Sequence, residues 1–335
     1  MCIIGGGPAG LAAAIAARRK GLAVTVMDGA RPPIDKACGE GLMPDGLAAL
    51  RALGITLDSA DAHPFRGIRF VGHGVSVAAD FPEGHALGVR RTALHAKMVA
   101  AAEAAGVELR WGTPVHELPD ARWIVGADGF HSRVRRWVGL QPLRPPQPRF
   151  GFRIHFRRAP WTDYMELHWG HACQIYVTPV GPDEVCAALI SRDQHLRLDD
   201  ALAQFPQLAA RLRGVSRATT ERGAVTANCS LRRVWRGNLA LVGDASGSVD
   251  AITGEGLCLA FHQALALADS LASGDLAAYE RAHRRLARRP KLMSNLMLTL
   301  DRRAWLRRRA LRLMAAQPRI FQSLLAFHLC VPNFS

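Results

Sequence analysis

The sequence predicts an α/β fold in which a parallel-sheet unit is interrupted by an antiparallel sheet and followed by C-terminal helices. Three observations carry this. The first 28 residues read strand, glycine turn, helix, strand and acid. From Arg149 the hydrophobic period changes to two, and after Gly274 the chain becomes helical and strongly basic. A chain of 335 residues exceeds one typical domain. Its 49% hydrophobic and 21% charged residues exclude disordered, collagen-like and disulfide-scaffold chains.

Met1–Ile4 is a strand-type run that feeds Gly5-Gly6-Gly7-Pro8-Ala9-Gly10, the Ala-rich helical segment Leu11–Lys20 and the helix-ending Gly21. In a Gly-x-Gly-x-x-Gly spacing the first glycine makes the tight turn and the second admits a pyrophosphate. The third lets helix and strand pack closely. Unpaired amides and the helix dipole favour a diphosphate there. Leu22–Met27 resumes a strand that ends at Asp28, where a carboxylate accepts from ribose hydroxyls. This is a Rossmann-type unit.

Two more glycine–acid turns follow. Trp123–Ala127 is a strand ending in Gly126-Ala127-Asp128-Gly129, with Ser132 and Arg135 beyond it. Leu239–Val242 is a strand ending in Gly243-Asp244-Ala245, and Gly254-Glu255-Gly256 opens the helical stretch Leu257–Leu271. In this order the motifs resemble the FAD-dependent oxidoreductase/monooxygenase superfamily of p-hydroxybenzoate hydroxylase-like fold, with a geranylgeranyl reductase-like branch. The resemblance covers residues 1–275.

The resemblance implies FAD as cofactor and NAD(P)H as reductant. It places Gly5, Gly7, Pro8, Ala9 and Gly10 at the pyrophosphate, Asp28 on the ribose, and Gly243 and Asp244 at the ribityl chain. Arg91 matches an FAD-contacting arginine, with adjacent Arg90 as the alternative. Asp128 would hold the central loop, and Gly254 and Gly256 would bring a helix N-terminus to the flavin N1 and O2 edge. Four residues precede Gly5 where the family carries more, so the first strand is expected to be clipped, with weakened edge pairing and FAD retention. The expected units are a discontinuous FAD-binding domain (1–64, 86–143, 235–275), a substrate-binding β-sheet domain (65–85, 144–234) and a basic helical region (276–335).

Within the substrate region, Phe65–Val71 and Val75–Phe81 form a predicted hairpin, and Thr92–Ala105 a helix ending at Gly106. Phe150, Phe152, Ile154 and Phe156 alternate with Gly151, Arg153, His155 and Arg157, the pattern of a half-buried strand. Glu166–Trp169, Cys173–Thr178 and Glu184–Ile190 continue the sheet. Gln174, Tyr176 and Thr178 share one strand face, which borders either the substrate cavity or solvent. The glycine loop Lys36–Leu42 resembles the family segment beside the isoalloxazine and makes Cys38 and Glu40 pocket candidates. Cys38 is either a reactive thiol or an ordinary one.

Seven cysteines without a CxxC pair suit reduced thiols and a cytoplasmic location. His168 and His171 lack partners at ligand spacing, so no metal is expected. No stretch reaches a membrane-spanning length. Of the net +15, +11 falls between Glu280 and Arg319, where 13 Lys/Arg face 2 Asp/Glu. Helices are expected over Leu276–Arg289, Leu292–Ala315 and Ile320–Leu329, with a break at Pro290. They either pack on the fold or meet an anionic membrane surface as peripheral helices; nucleic acid is disfavoured.

The expected function is an FAD-dependent oxidoreductase. The leading reaction is NAD(P)H-dependent hydroxylation of an apolar aromatic or polyketide-like molecule, of the kind met in secondary metabolism. Reduction of isoprenoid double bonds is the alternative, because Asp244–Ala251 lacks the His and Pro of aromatic hydroxylases. Gln174–Pro179 only partly matches the YxWxFP substrate motif of the reductase branch. The halogenase WxWxIP pattern is absent. A membrane- or nucleic-acid-binding flavoprotein without catalysis is the reading from another class.

Overall fold

The computed structural model describes residues 1–329; Cys330 and the rest of the predicted basic region lie outside the described residues. A six-stranded sheet carries the N-terminal unit. Its parallel strands lie in the order Glu108–Trp111, Thr25–Asp28, Cys2–Ile4, Ile124–Gly126 and Leu239–Leu241, with Trp235–Arg236 antiparallel at the edge. Cys2–Ile4 sits mid-sheet and pairs on both sides, Cys2 opposite Thr25 and Ile124. The expected loss of edge pairing is therefore not seen: this strand is central. Helix Pro8–Arg19 buries every residue from Gly10 to Ala17. Its alanines present a smooth face that lets the helix press on the sheet and on helix Gly256–Ser273.

The second sheet has seven strands in the order Arg222–Thr226, Arg149–Phe156, Glu184–Ser191, Cys173–Gly181, Tyr164–Trp169, Gly67–Gly72 and Val75–Asp80. All pairs are antiparallel except Tyr164–Trp169 with Gly67–Gly72. A third sheet, unforeseen from the sequence, joins Gly41–Leu42, Ala86–Val89 and Ala62–Phe65. It lies so close to the second that a Cβ on Gly88 would stand 1.6 Å from the Pro179 carbonyl oxygen.

The strand Arg149–Phe156 departs from the half-buried expectation, because Arg149, Arg153 and His155 are as buried as Ile154 and Phe156. Its apolar face packs on Leu198, Phe205, Leu208 and Leu212. Its polar face meets carboxylates: Arg149 pairs with Asp250, Arg153 with Asp35, and His155 with Glu40. Period two reports two faces, and here the polar one is turned inward against partners that neutralise it.

Pro290 does not end its helix. Leu276–Arg302 is continuous, and the interruption comes at Arg303, before helices Ala304–Ala316 and Pro318–Leu329. Buried Leu286, Ala287, Ser294 and Met297 on both sides of Pro290 hold the axis through the missing N–H. At the true break Arg307 reaches back, its Nη1 donating to the carbonyls of Leu300 (3.3 Å) and Asp301 (3.1 Å). The last two helices cover the hairpin, where Phe321 stacks on Phe70 with centroids 4.5 Å apart. Among the described residues no helix is long and apolar enough to cross a membrane.

Candidate active site

Parallel strands direct their C-terminal ends to one edge of the sheet, and the turns leaving those ends meet around a single crevice. The cavity is about 530 Å³. Its wall includes Gly5, Gly7, Pro8 and Ala9 from the first turn, Asp28 from the second strand, Asp128 and Gly129 from the central turn, and Gly243, Asp244, Gly254 and Gly256 from the last two.

The three glycines of the first turn divide the work. Gly5 has φ +113°, and a Cβ there would meet the Ala127 carbonyl oxygen at 2.4 Å. A Cβ on Gly7 would meet nothing within 4 Å, so this backbone faces open space. Gly10 does not line the cavity as expected; it packs on Gly5, whose carbonyl oxygen would stand 1.9 Å from an added Cβ. No side chain caps the helix at Gly7, which leaves its first amides for an anion. Helix Gly256–Ser273 likewise starts without a side-chain cap. Asp28 accepts from the backbone of Gly6 (2.6 Å) and Ala30 (2.8 Å), which fixes its carboxylate beside the cavity.

Of the adjacent arginines, Arg91 lines the cavity and its buried Nε has no partner. Arg90 turns away into an ion pair with Glu184. Asp128 accepts from the amides of Arg133 (2.6 Å) and Val134 (3.1 Å), and its other oxygen is buried without a partner. Asp244 lies 3.2 Å from Lys36 Nζ. Open glycine backbone, two uncapped helix starts and an arginine Nε without a partner suit a long, doubly charged dinucleotide.

Comparison with known proteins decides which one. A family model described as an FAD binding domain matches residues 1–120 and 119–283. The chain belongs to this FAD-binding family. It is also similar to a menaquinone reductase of Mycobacterium tuberculosis, with 29% identity over 82% of this chain and 77% of that protein. The flavin-dependent brominase Bmp2 superposes with a TM-score of 0.82 at 17% identity, covering 98% of this chain and 93% of that one. A 2-methyl-3-hydroxypyridine-5-carboxylic acid oxygenase superposes with a TM-score of 0.73 at 24% identity, covering 90% and 91%. These two likenesses are of fold. An FAD-dependent oxidoreductase of mixed α/β architecture is the common ground.

Beyond the turns, the FAD-binding chain walls its cavity with Cys38, Glu40 and Tyr176, three of the five pocket candidates. Gln174 and Thr178 share the inward face with Tyr176 but do not reach the cavity. Gln174 bridges Arg149 and Asp301, and Thr178 donates to the Gly39 carbonyl at 2.7 Å. The face left open between cavity and solvent is thus wholly buried.

Glu40, in the left-handed region at φ +59°, is the hub of this wall. One oxygen accepts from the Arg91 amide (2.9 Å); the other lies 2.5 Å from His155 Nε2. His155 Nδ1 lies 2.9 Å from Thr219 Oγ1. Burial pushes the Cys38 thiol above its ordinary range, against the pull of nearby Arg91. Burial likewise raises the Tyr176 phenol, which donates to the Ile252 carbonyl at 2.5 Å. Both stay protonated, so a thiolate nucleophile is not what this wall presents. Arg153, His155 and Lys36 were missed by sequence reasoning, although the period of two had already put Arg153 and His155 on one face. His168 and His171 do not converge: His168 pairs with Glu166 at 3.0 Å, and His171 is exposed.

Proposed function

We propose that this FAD-dependent oxidoreductase reduces a carbon–carbon double bond of an apolar, prenylquinone-like molecule, with NAD(P)H supplying the electrons. The observation that carries the reading is the cavity wall of weak acids held protonated, Cys38 and Tyr176, beside the Glu40–His155 pair. Bound and reduced, FAD supplies a hydride equivalent. Saturating an alkene also needs a proton on the neighbouring carbon. Cys38 is the donor we assign, because it lines the cavity, keeps its proton and accepts from the Glu40 amide at 3.3 Å, beside the chain that runs from the Glu40 carboxylate through His155 to Thr219. Similarity to a menaquinone reductase supports the substrate class.

In the same proposal Gly5, Gly7, Pro8 and Ala9 hold the pyrophosphate, Gly10 supports them by packing, and Asp28 binds the ribose. Gly243 and Asp244 bind the ribityl chain, Arg91 a cofactor oxygen, and Gly254 and Gly256 set a helix start at the ring. Asp128 holds the central turn through its two amides. The substrate is drawn from an anionic membrane surface met by the basic C-terminal helices.

A second reading, hydroxylation of an apolar aromatic molecule, is favoured by Phe130, Trp137 and Phe152 on the cavity wall. Anaerobic reduction of the FAD-loaded protein with NADPH or NADH, followed by menaquinone and mass spectrometry, separates the two. Reduction predicts gain of two hydrogens without air, and Cys38→Ala should slow the step about 100-fold while retaining FAD. Product that forms only in air and carries one oxygen atom overturns the reductase reading in favour of the second.

A further inference from the structure

A second cavity, of about 390 Å³, shares no lining residue with the flavin crevice and lies among helices Pro44–Ala52, Gly256–Ser273, Leu276–Arg302 and Pro318–Leu329. Glu255, Cys258 and His262 reach it from one helix face, because their spacing of three and four follows the helical repeat. Asp45 comes from the first turn of the opposing helix, and its Oδ2 accepts from the Cys258 thiol at 3.0 Å. Candidate ligand atoms of Asp45, Cys258 and His262 all lie within 4.8 Å of one another.

A second feature points to a ligand. Glu255 is 4% exposed and lines the same cavity, yet its Oε2 has no hydrogen-bond partner; its Oε1 is 3.5 Å from His328 Nδ1. A buried carboxylate oxygen with no partner, in a cavity shared with half-buried Asp45, is costly without a cation or a proton. Arg285, Arg288 and Arg289 line the cavity too, the first two exposed and the third half-buried with its guanidinium over the Phe327 ring. One thiol, one imidazole and one carboxylate oxygen within 4.8 Å of one another form the mixed donor set that borderline-soft divalent metals take up.

We propose that Asp45, Cys258 and His262 bind one divalent transition metal of the zinc class, with the Glu255 carboxylate, its Oε2 partnerless, facing the same cavity and offsetting the ion's charge. Metal entry breaks the Cys258 S–H bond, forms a metal–sulfur bond and releases the proton to solvent, with no change of oxidation state. The metal would tie the helix that follows the Lys36–Leu42 loop to the helix that starts at Gly256, so that it braces two walls of the flavin cavity. It is a positioning device and does not touch the reacting atoms.

The test uses the full chain loaded with FAD and dialysed against a chelator. Zinc is titrated in, bound metal is counted by plasma mass spectrometry, and Cys258 alkylation by iodoacetamide is followed by peptide mapping. We expect about one zinc per chain and about tenfold or greater protection of Cys258, both lost in Cys258→Ser and weakened about tenfold or more in His262→Gln. Should Cys258→Ser fail to fold, Asp45→Asn and Glu255→Gln serve, each first shown to retain FAD and native circular dichroism. Substoichiometric zinc, or zinc held equally well by folded variants, overturns the site. FAD binding and catalysis are read separately, so failure here leaves the reductase reading standing.

Discussion

His283 shows how much a single buried side chain behind the flavin cavity contributes. Its Nε2 lies 2.9 Å from Ser246 Oγ, which in turn donates to the Gly243 carbonyl at 2.8 Å, so the imidazole braces the turn that carries Asp244. Burial first, then Lys291 and Arg284, bring its pKa from 6.5 down to about 3. The unfolded chain takes up a proton near pH 6.5 while the folded chain refuses it until about pH 3. The stability tied to a neutral His283 is therefore complete above pH 6.5 and is lost as pH falls through that window, by up to about 1.4 kcal/mol per pH unit. Urea unfolding midpoints should drop steadily on acidification below pH 6.5, and His283→Gln should flatten the slope. An unchanged slope in that variant would assign the acid loss to His95, His262 and His328, whose values burial also lowers. None of this was visible beforehand: the sequence marks His283 as one histidine within a basic run.

Among the elements, the helix Leu276–Arg302 is the clearest case of tertiary packing overruling local preference. An interior proline lies about 3 kcal/mol below alanine in helix preference, and removing the buried ring gives back roughly 1–1.5 kcal/mol of that. Pro290→Ala is thus expected to stabilise the protein by about 1–2 kcal/mol, read as a raised denaturant midpoint with an unchanged slope. A lowered midpoint would show that the ring's contacts outweigh the missing hydrogen bond. The first βαβ unit behaves the other way. Cys2–Ile4, Pro8–Arg19 and Thr25–Asp28 follow the sequence reading closely, because each glycine and alanine there serves local geometry and packing together. The three-stranded sheet escaped notice because Gly41–Leu42 pairs across 47 positions with Leu87–Gly88, and two-residue strands carry no period.

At the level of the whole molecule the charge is segregated, with 13 Lys/Arg and 2 Asp/Glu between Glu280 and Arg319. That region exposes Leu292, Leu296, Trp305 and Leu313, and the helix Pro318–Leu329 adds Leu324 and Phe327. Leu292 and Leu296 lie one turn apart on the helix that carries Arg285 and Arg289, and the Arg289 guanidinium lies over the Phe327 ring at 5.3 Å. Cations flanking exposed apolar groups match the phosphates and acyl chains of an anionic bilayer. The protein should sediment with phosphatidylglycerol vesicles and not with phosphatidylcholine alone, and it should release as salt rises. Phe327→Glu is expected to weaken that binding about tenfold or more. Equal binding to RNA with no response to Phe327→Glu would instead assign the charge to nucleic acid.

The sequence by itself determined the Rossmann-type unit, the three glycine–acid turns, the inserted antiparallel sheet and the helical end, because each rests on local spacing, chain reversal or periodicity. Only the tertiary structure decided that Arg91 and not Arg90 faces the cavity, and that Cys38, Glu40 and Tyr176 border it while Gln174 and Thr178 do not. The same holds for the inward face of Arg149, Arg153 and His155. The physical reason is common to all of them. A polar side chain is buried or exposed according to whether a distant segment brings it a partner, and Glu40 and His155 are 115 positions apart.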